Sequence, residues 1–515
     1  MKEKLKAFGL PIVIILVLIG IIFFQQLQRM TELPNENWSR SIPFTMETEE
    51  KPLVFQNGDE VFYSEKDKVH HFSMNEGLQI KDEGDISFSI PRGYPFWTDG
   101  RQFVTLSQGT LKLSGGDEKV IAEDVTGTAT MSNKIVYWQG SDVFEIDPST
   151  MESKSIHSFA REVGNVFFGN DGSYIVAQQT DDVNADLFFV SPEGEVKQNP
   201  FLKVANNKDN KIGNIAYTVQ DGEITFIFDT QMRSQGALSY NLHTAKTAVT
   251  ELGTSTLKAD KATIINEATG AKLETPRYVQ ILNSEEAPTL LFTAEGQGVG
   301  NGNSVSLYTG SLDNGTDISA SSMTTTDGIT HYPVEASDGS IIWLDYDGAS
   351  YELYGASQSD KVKDESTELG SRSYKEAGIN TVLMLASSLI TFLVSFYWIL
   401  PSLLLLIVLY MAKPNIFEKE EINWVEYVSI AIFAVMPFTF VDKAMNSYFY
   451  EIAPSYLTFS GSGWVLLLVI TAVSAAVWKF GRDPEWGTFG GAFYFIGIYI
   501  MLYITSIGTY VFNLF

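Results

Sequence analysis

The chain has 515 residues, 62 acidic against 35 basic, a formal net charge of −27 and no cysteine. Acidity on that scale excludes nucleic-acid binding, which needs a basic footprint to displace counterions; the lack of cysteine excludes disulfide frameworks, thiolate zinc sites, Fe–S clusters and cysteine nucleophiles. Yet 45% of the residues are hydrophobic and mean hydropathy is +0.02, so the average covers unlike parts: residues 1–24 carry +2, residues 25–376 carry −26 and residues 377–515 carry −3.

Phe8 to Phe24 is a run of 17 apolar, glycine or proline residues preceded by Lys2, Lys4 and Lys6. The following Gln25-Gln26-Leu27-Gln28-Arg29 offers no site of small residues for signal cleavage, so the run reads as an uncleaved anchor with its lysines in the cytoplasm. Residues after 25 would then face outward.

Residues 40–365 show short alternating apolar runs separated by Asn-Gly, Asp-Gly and Gly-Gly turns, the signature of hairpins. A unit of turn, strand, gap and strand recurs. Its copies begin at Asn57-Gly58, Asp99-Gly100, Asn133, Asp171-Gly172, Asp221-Gly222, Pro288 and Asp338-Gly339. The strands that follow are typified by Ile135-Val136-Tyr137-Trp138 with Val143-Phe144-Glu145-Ile146, and by Ile341-Ile342-Trp343-Leu344 with Tyr351-Glu352-Leu353-Tyr354. Seven copies over roughly 325 residues give about 46 residues per unit, a period that marks propellers.

In this pattern the chain resembles β-propeller repeat proteins in general, over about 63% of its length. No WD, kelch or Asp-box signature points to a particular family. The loose stretch 250–275 has room for further strands, so six or eight blades, or a pair of β-sandwiches, are the alternatives. A closed ring brings its ends together. Insertion between two membrane spans then needs no long linker, only Thr31–Thr45 leading in and Ser357–Glu376 leading out.

The C-terminal part has four apolar blocks, Ala377–Met411, Trp424–Val441, Trp464–Trp478 and Phe489–Phe512. Lys413 and Lys419 in the first loop, and Lys479 and Arg482 in the third, place those loops in the cytoplasm by the positive-inside rule. The 35 residues of the first block exceed one perpendicular span of about 20. A single long pass, tilted or kinked at Pro401, keeps loop 413–423 inside; two passes would move it outside. The chain therefore reads as five passes, with six as the alternative. The expected organisation is an anchor over 1–30, an all-β extracytoplasmic domain over 31–370, and a membrane domain of four or five helices over 371–515. The expected fold is a seven-bladed β-propeller between an N-terminal transmembrane helix and a C-terminal α-helical bundle.

Chemistry-bearing motifs are few. Asp182-Val183-Asn184-Ala185-Asp186 with Glu193 places oxygen ligands at EF-hand-like positions, but Leu187 stands where glycine is required and a strand follows. Calcium is the one cofactor these acidic loops suggest. Gly296, Gly298, Gly300 and Gly302 lie between two strands rather than before a helix, so they form a hairpin loop and not a dinucleotide site. His70, His71, His157, His243 and His331 have no metal-ligand spacing, and His70 and His71 point to opposite faces of one strand. No catalytic, cofactor-binding or metal residue is assigned.

Blocks 377–411, 464–478 and 489–512 hold no ionisable residue, which argues against an ion-coupled transporter. Small residues at Ala472, Ala476, Gly490, Gly491, Gly497 and Gly508 suit close helix packing. The expected function is a binding, scaffold or sensing module for an envelope or membrane protein partner. A permease-like subunit of an ABC-type export system is the alternative, and an envelope enzyme with a propeller active site is the third reading. An acidic, cysteine-free outer domain suits a bacterial cell membrane.

Overall fold

The computed structural model describes residues 2–511, apart from 75–76, 117, 170, 221, 235, 255, 283–288, 298–302, 312–315, 327, 337–338, 418–422, 446–448 and 451–452. It divides into two compact units, residues 33–367 and residues 1–32 with 368–515.

The 33–367 unit begins with β1 (Ile42–Thr48). Four separate four-stranded antiparallel sheets follow. The first is β2 (Val54–Asn57), β3 (Glu60–Glu65), β4 (Lys68–Met74) and β5 (Ile80–Ile86). The second is β6 (Trp97–Thr98), β7 (Phe103–Ser107), β8 (Thr110–Ser114) and β9 (Lys119–Ala122). The third is β10 (Gly127–Met131), β11 (Lys134–Gln139), β12 (Asp142–Asp147) and β13 (Glu152–Ser158). The fourth is β14 (Val163–Phe168), β15 (Tyr174–Gln179), β16 (Asn184–Val190) and β17 (Leu202–Ala205).

The remaining strands are β18 (Asn210–Gln220), β19 (Glu223–Ser234), β20 (Ala237–Ala248), β21 (Asp260–Asn266), β22 (Glu274–Leu282), β23 (Thr289–Gln297), β24 (Asn303–Ser311), β25 (Asp317–Ser322), β26 (Ile329–Glu335), β27 (Ile341–Tyr346) and β28 (Tyr351–Ala356). They make antiparallel runs β18–β21, β22–β25 and β26–β28. Parallel pairing of β21 with β25, and of β24 with β26 at Val305 and Ile329, joins them into one 12-stranded sheet that includes β1. The described residues of 250–275 thus hold β21 and the first two residues of β22.

The order of the groups is circular. Asn57 Nδ2 donates to Thr98 O at 3.0 Å, Trp97 Nε1 to Ser132 O at 3.0 Å and Lys134 Nζ to Gly172 O at 3.0 Å. The hydroxyls of Ser173 and Tyr217 meet at 2.7 Å, and Asn214 Nδ2 and Gln280 Nε2 donate to Val279 O and Pro333 O at 2.7 and 2.6 Å. Each contact joins one group to the next in sequence. The last group closes on the first through β1, which pairs antiparallel with β28 and stacks Phe44 on Phe72 of β4 at 5.7 Å. This is a β-propeller domain. The segment expected only to lead in from residue 31 therefore supplies the closing strand, and the segment leading out forms α-helix Asp360–Thr367.

Burial grades across each sheet. β11, β15 and β27 bury nearly every residue, whereas β5 and β13 are mostly exposed. A strand covered on both faces reads as a continuous apolar run, which explains why second strands such as β11, β15 and β27 stand out in the sequence, whereas third strands such as β4, β8 and β12 bury only one or two residues each. At the tight hairpins Gly58 and Gly172 adopt φ of +61° and +82°, a left-handed backbone open to glycine without steric cost.

The second unit is helical. Among the described residues, four helical stretches are long and apolar enough to cross a membrane: Ala7–Arg29, Ser371–Leu393, Ser462–Gly481 and Gly487–Val511. Ser371–Ala412 is one unbroken helix of 42 residues containing Pro401, about 63 Å at 1.5 Å per residue; it starts six residues before the first apolar block. Trp424–Thr439 is shorter. Lys2–Arg29 packs Ile14, Leu18 and Ile22 against a core of Trp398, Phe433, Leu467, Tyr499 and Tyr503. It is also tied by Tyr494 OH to Ala7 O at 2.6 Å and by Gln26 Nε2 to Met384 Sδ at 3.0 Å. Gly491 and Gly508 sit in close contacts, with Glu426 and Thr391, as expected for packing positions. Ala472 and Ala476 instead face outward, and a Cβ on Gly497 would meet nothing within 4 Å. Leu389, Leu393, Leu404 and Val408 also leave apolar surface exposed.

Candidate functional site

Three neighbouring first strands break register at the same level. β18 bulges between Ile212 and Ile215, β22 between Arg277 and Gln280, and β26 between His331 and Val334. A bulge re-aims side chains and frees backbone groups from the ladder. The freed Val279 and Pro333 carbonyls accept the bridging bonds from Asn214 and Gln280. Tyr278 and Tyr332 lie in the two later bulges with φ of +53° and +47°, an outlying conformation for a bulky residue.

These bulges gather an aromatic and cationic cluster. The Tyr278 ring lies 4.9 Å from Tyr332 and 6.0 Å from His331, and its hydroxyl is 3.4 Å from His331 Nδ1. Tyr351 adds a ring 5.9 Å from His331. Lys51 Nζ sits 4.6 Å from the centre of the Tyr332 ring, and Arg277 Cζ lies 3.9 Å over Tyr240, both within range of a cation–π attraction. The Arg277 Nε is buried with no hydrogen-bond partner among the described residues. Neither cation forms an ion pair with a described carboxylate.

Electrostatics follow from this packing. Burial pushes His331 down to about 4, helped by Lys51 and Arg277, so the imidazole is neutral at ordinary pH. Burial raises the Tyr278 hydroxyl, aided by Tyr332. Asp229 on β19 is buried beneath Gly213, where a Cβ would fall 1.8 Å from its Oδ2. Burial pushes its carboxyl up to about 6, against the Asn214 N–H that donates to Oδ1 at 2.9 Å and the field of Arg277.

The other histidines lie apart from this cluster. His70 contacts Glu65 at 2.6 Å and also Asp85, and stacks on Tyr63 at 4.6 Å. His71 faces the other way, onto Phe62. His157 packs on Phe159, and His243 meets Thr230 Oγ1 at 3.1 Å. Of the suggested calcium residues, Asn184 and Asp186 lie on β16, with Asp182 before it and Glu193 beyond its far end. A seven-residue strand spans about 20 Å, so it carries Glu193 away from Asp182, and these residues do not share one loop. Among the described residues no group of three or more His, Asp or Glu is set to hold a metal. Gly298, Gly300 and Gly302 lie outside the described residues; Gly296 ends β23, and β24 follows the loop.

A cleft of about 310 Å³ between β14, β15 and β18 is lined by Asn165, Gln179, Asn206, Asn207 and Lys211. Its amides are largely committed: Gln179 and Asn206 bond each other, and Asn207 caps its own turn. The bulge cluster was not singled out from sequence. The available signal was Pro276 and Pro333, which cannot donate to a ladder and mark irregularity within strands.

No family model matches the chain and no curated protein matches it. Solved structures similar to it include the β-propeller domain of Nup133 from Vanderwaltozyma polyspora, at 10% identity over 62% of this chain and 98% of that one, with a TM-score of 0.40. The N-terminal domain of Nup159 matches at 12% identity over 63% of this chain and 97% of that one, with a TM-score of 0.37. Likenesses this distant carry no functional argument; the propeller assignment rests on the strand pairing.

Proposed function

We propose that the chain is a five-pass membrane protein whose outward-facing, seven-bladed propeller is a binding or sensing module for an envelope or membrane protein partner. The observation that carries this reading is the bulge cluster. Two cations without ion-pair partners, Lys51 and Arg277, are gathered with the rings of Tyr240, Tyr278, His331, Tyr332 and Tyr351 around the bulges of β22 and β26, in a segment of charge −26. Aromatic and arginine side chains are those that dominate binding energy at interfaces. Membrane embedding is supported by helices that stay apolar on their outward faces, as at Leu393 and Val408, since a helix apolar all round needs an apolar surrounding. Continuity of Ser371–Ala412 favours one pass over two.

The test is in-cell photo-crosslinking of the full chain, with the reactive side chain at Lys51 or, as control, at exposed Glu152 on β13. A discrete adduct from Lys51 and none from Glu152 is expected. No adduct at Lys51, or the same adducts at both, would refute the reading.

A further inference from the structure

We propose that the Arg277–Tyr278–His331–Tyr332 cluster, with Lys51, binds a single oxyanion, a carboxylate or phosphate group, whose carrier presents a planar or apolar face to the tyrosine rings. This rests on the reading of the propeller as a binding module and assigns the chemistry of its site.

Three observations converge. First, neither cation of the cluster, Lys51 nor Arg277, forms an ion pair with a described carboxylate. Several lysines of this acidic unit are paired, as Lys68 is with Glu65 and Asp85, Lys112 with Glu118 and Lys246 with Glu223. Lys51 and Arg277 lie over tyrosine rings instead. Second, Arg277 keeps a buried Nε–H without an acceptor. An unmade bond from a buried donor is costly, and a charged donor more so. Guanidinium forks match carboxylate and phosphate oxygens in pairs of parallel bonds. Third, the buried Asp229 feels the charge of Arg277 but does not fill that role: it accepts from Asn214 N and forms no ion pair with Arg277. The neutral His331 and the Tyr278 hydroxyl add polar contacts, while Tyr332 and Tyr351 supply flat apolar faces.

The strained bulges support a ligand role. Tyrosine at positive φ costs stability, and such outliers gather where a site must be pre-shaped. Tyr278 and Tyr332 share this conformation on adjacent strands, and their rings touch.

The experiment titrates the purified full chain in detergent with benzoate and phenyl phosphate, and with the neutral analogue benzamide, by calorimetry. At least one anion is expected to bind, and benzamide at least tenfold more weakly. Preference for benzoate or for phenyl phosphate identifies the kind of oxyanion. Lys51→Gln, an exposed position whose change leaves the fold intact, should weaken the anion at least threefold, and Arg277→Gln at least tenfold. Equal binding of benzoate and benzamide, no binding of either anion, or unchanged binding in Lys51→Gln overturns the proposal. Titration needs no protein partner, so it fails or succeeds independently of the crosslinking result.

Discussion

Arg482 grips Glu426 with two hydrogen bonds, Nε to Oε1 at 2.8 Å and Nη2 to Oε2 at 3.0 Å, in a pocket where both side chains are almost wholly buried. Trp478 Nε1 also donates to Oε1, at 3.1 Å. Asn423, the cap of the 424–439 helix, ties in Ile416 and Thr488. Removing one partner leaves a buried charge uncompensated, at about 3–5 kcal/mol. Glu426→Ala should therefore lower the thermal midpoint of the detergent-solubilised protein sharply. Replacing both, Glu426→Leu with Arg482→Met, should recover most of the loss. Gly491→Ala should resemble the single variant, because its Cβ would fall 1.9 Å from Glu426 Oε1.

Asp229 and His331 pull stability in opposite directions with pH. The Asp229 carboxyl rises on folding from 3.8 to about 6, so the native state holds more protons than the unfolded state in that window. Stability attributable to it falls as pH rises from about 4 to 6, by on the order of 3 kcal/mol. His331 drops from 6.5 to about 4, so its contribution is present above 6.5 and is lost as pH falls towards 4. In the wild type the two slopes largely cancel. Asp229→Asn should leave a midpoint that climbs between pH 4 and 6.5, and His331→Gln one that declines. Urea midpoints at pH 4.5 and 7.5 distinguish these outcomes.

The left-handed backbone at Tyr278 makes a sharp prediction about substitutions. Asparagine tolerates positive φ, whereas a β-branched residue does not. Tyr278→Val should be less stable than Tyr278→Asn by about 1 kcal/mol or more, although valine is the better strand former. A reversed order would mean that the bulge is not held in this conformation.

Absence of cysteine makes topology directly measurable. Single cysteines can be introduced at exposed Lys208 in the propeller and at Lys479 beside the third loop. A membrane-impermeant maleimide on intact cells should label Lys208→Cys and spare Lys479→Cys until the membrane is opened. The opposite pattern would invert the proposed orientation.

Much of the propeller was legible in the sequence because its second strands are buried on both faces. Ile135–Trp138 and Ile341–Leu344 can only be continuous apolar runs, and their turns need residues such as Gly58. First and fourth strands were less legible. β13 is mostly exposed, β6 is two residues long, and β1 is recognisable only by its partner β28, more than 300 residues away. The apolar helices were likewise visible from hydropathy alone, as was the scarcity of charge within them.

Sequence by itself determined the period, the apolar blocks and the charge segregation, because burial on both faces and helix length are written in consecutive residues. Only the tertiary structure decided which distant side chains meet. Glu426 lies near a block end and Arg482 in a turn 56 positions later; Tyr278 and His331 sit on separate strands, and Lys51 precedes the first sheet. Their encounters depend on ring closure, on bulges at Pro276 and Pro333 and on helix packing, none of which leaves a local spacing to read. The −27 of the whole chain thus conceals a cationic, aromatic spot within its most acidic part.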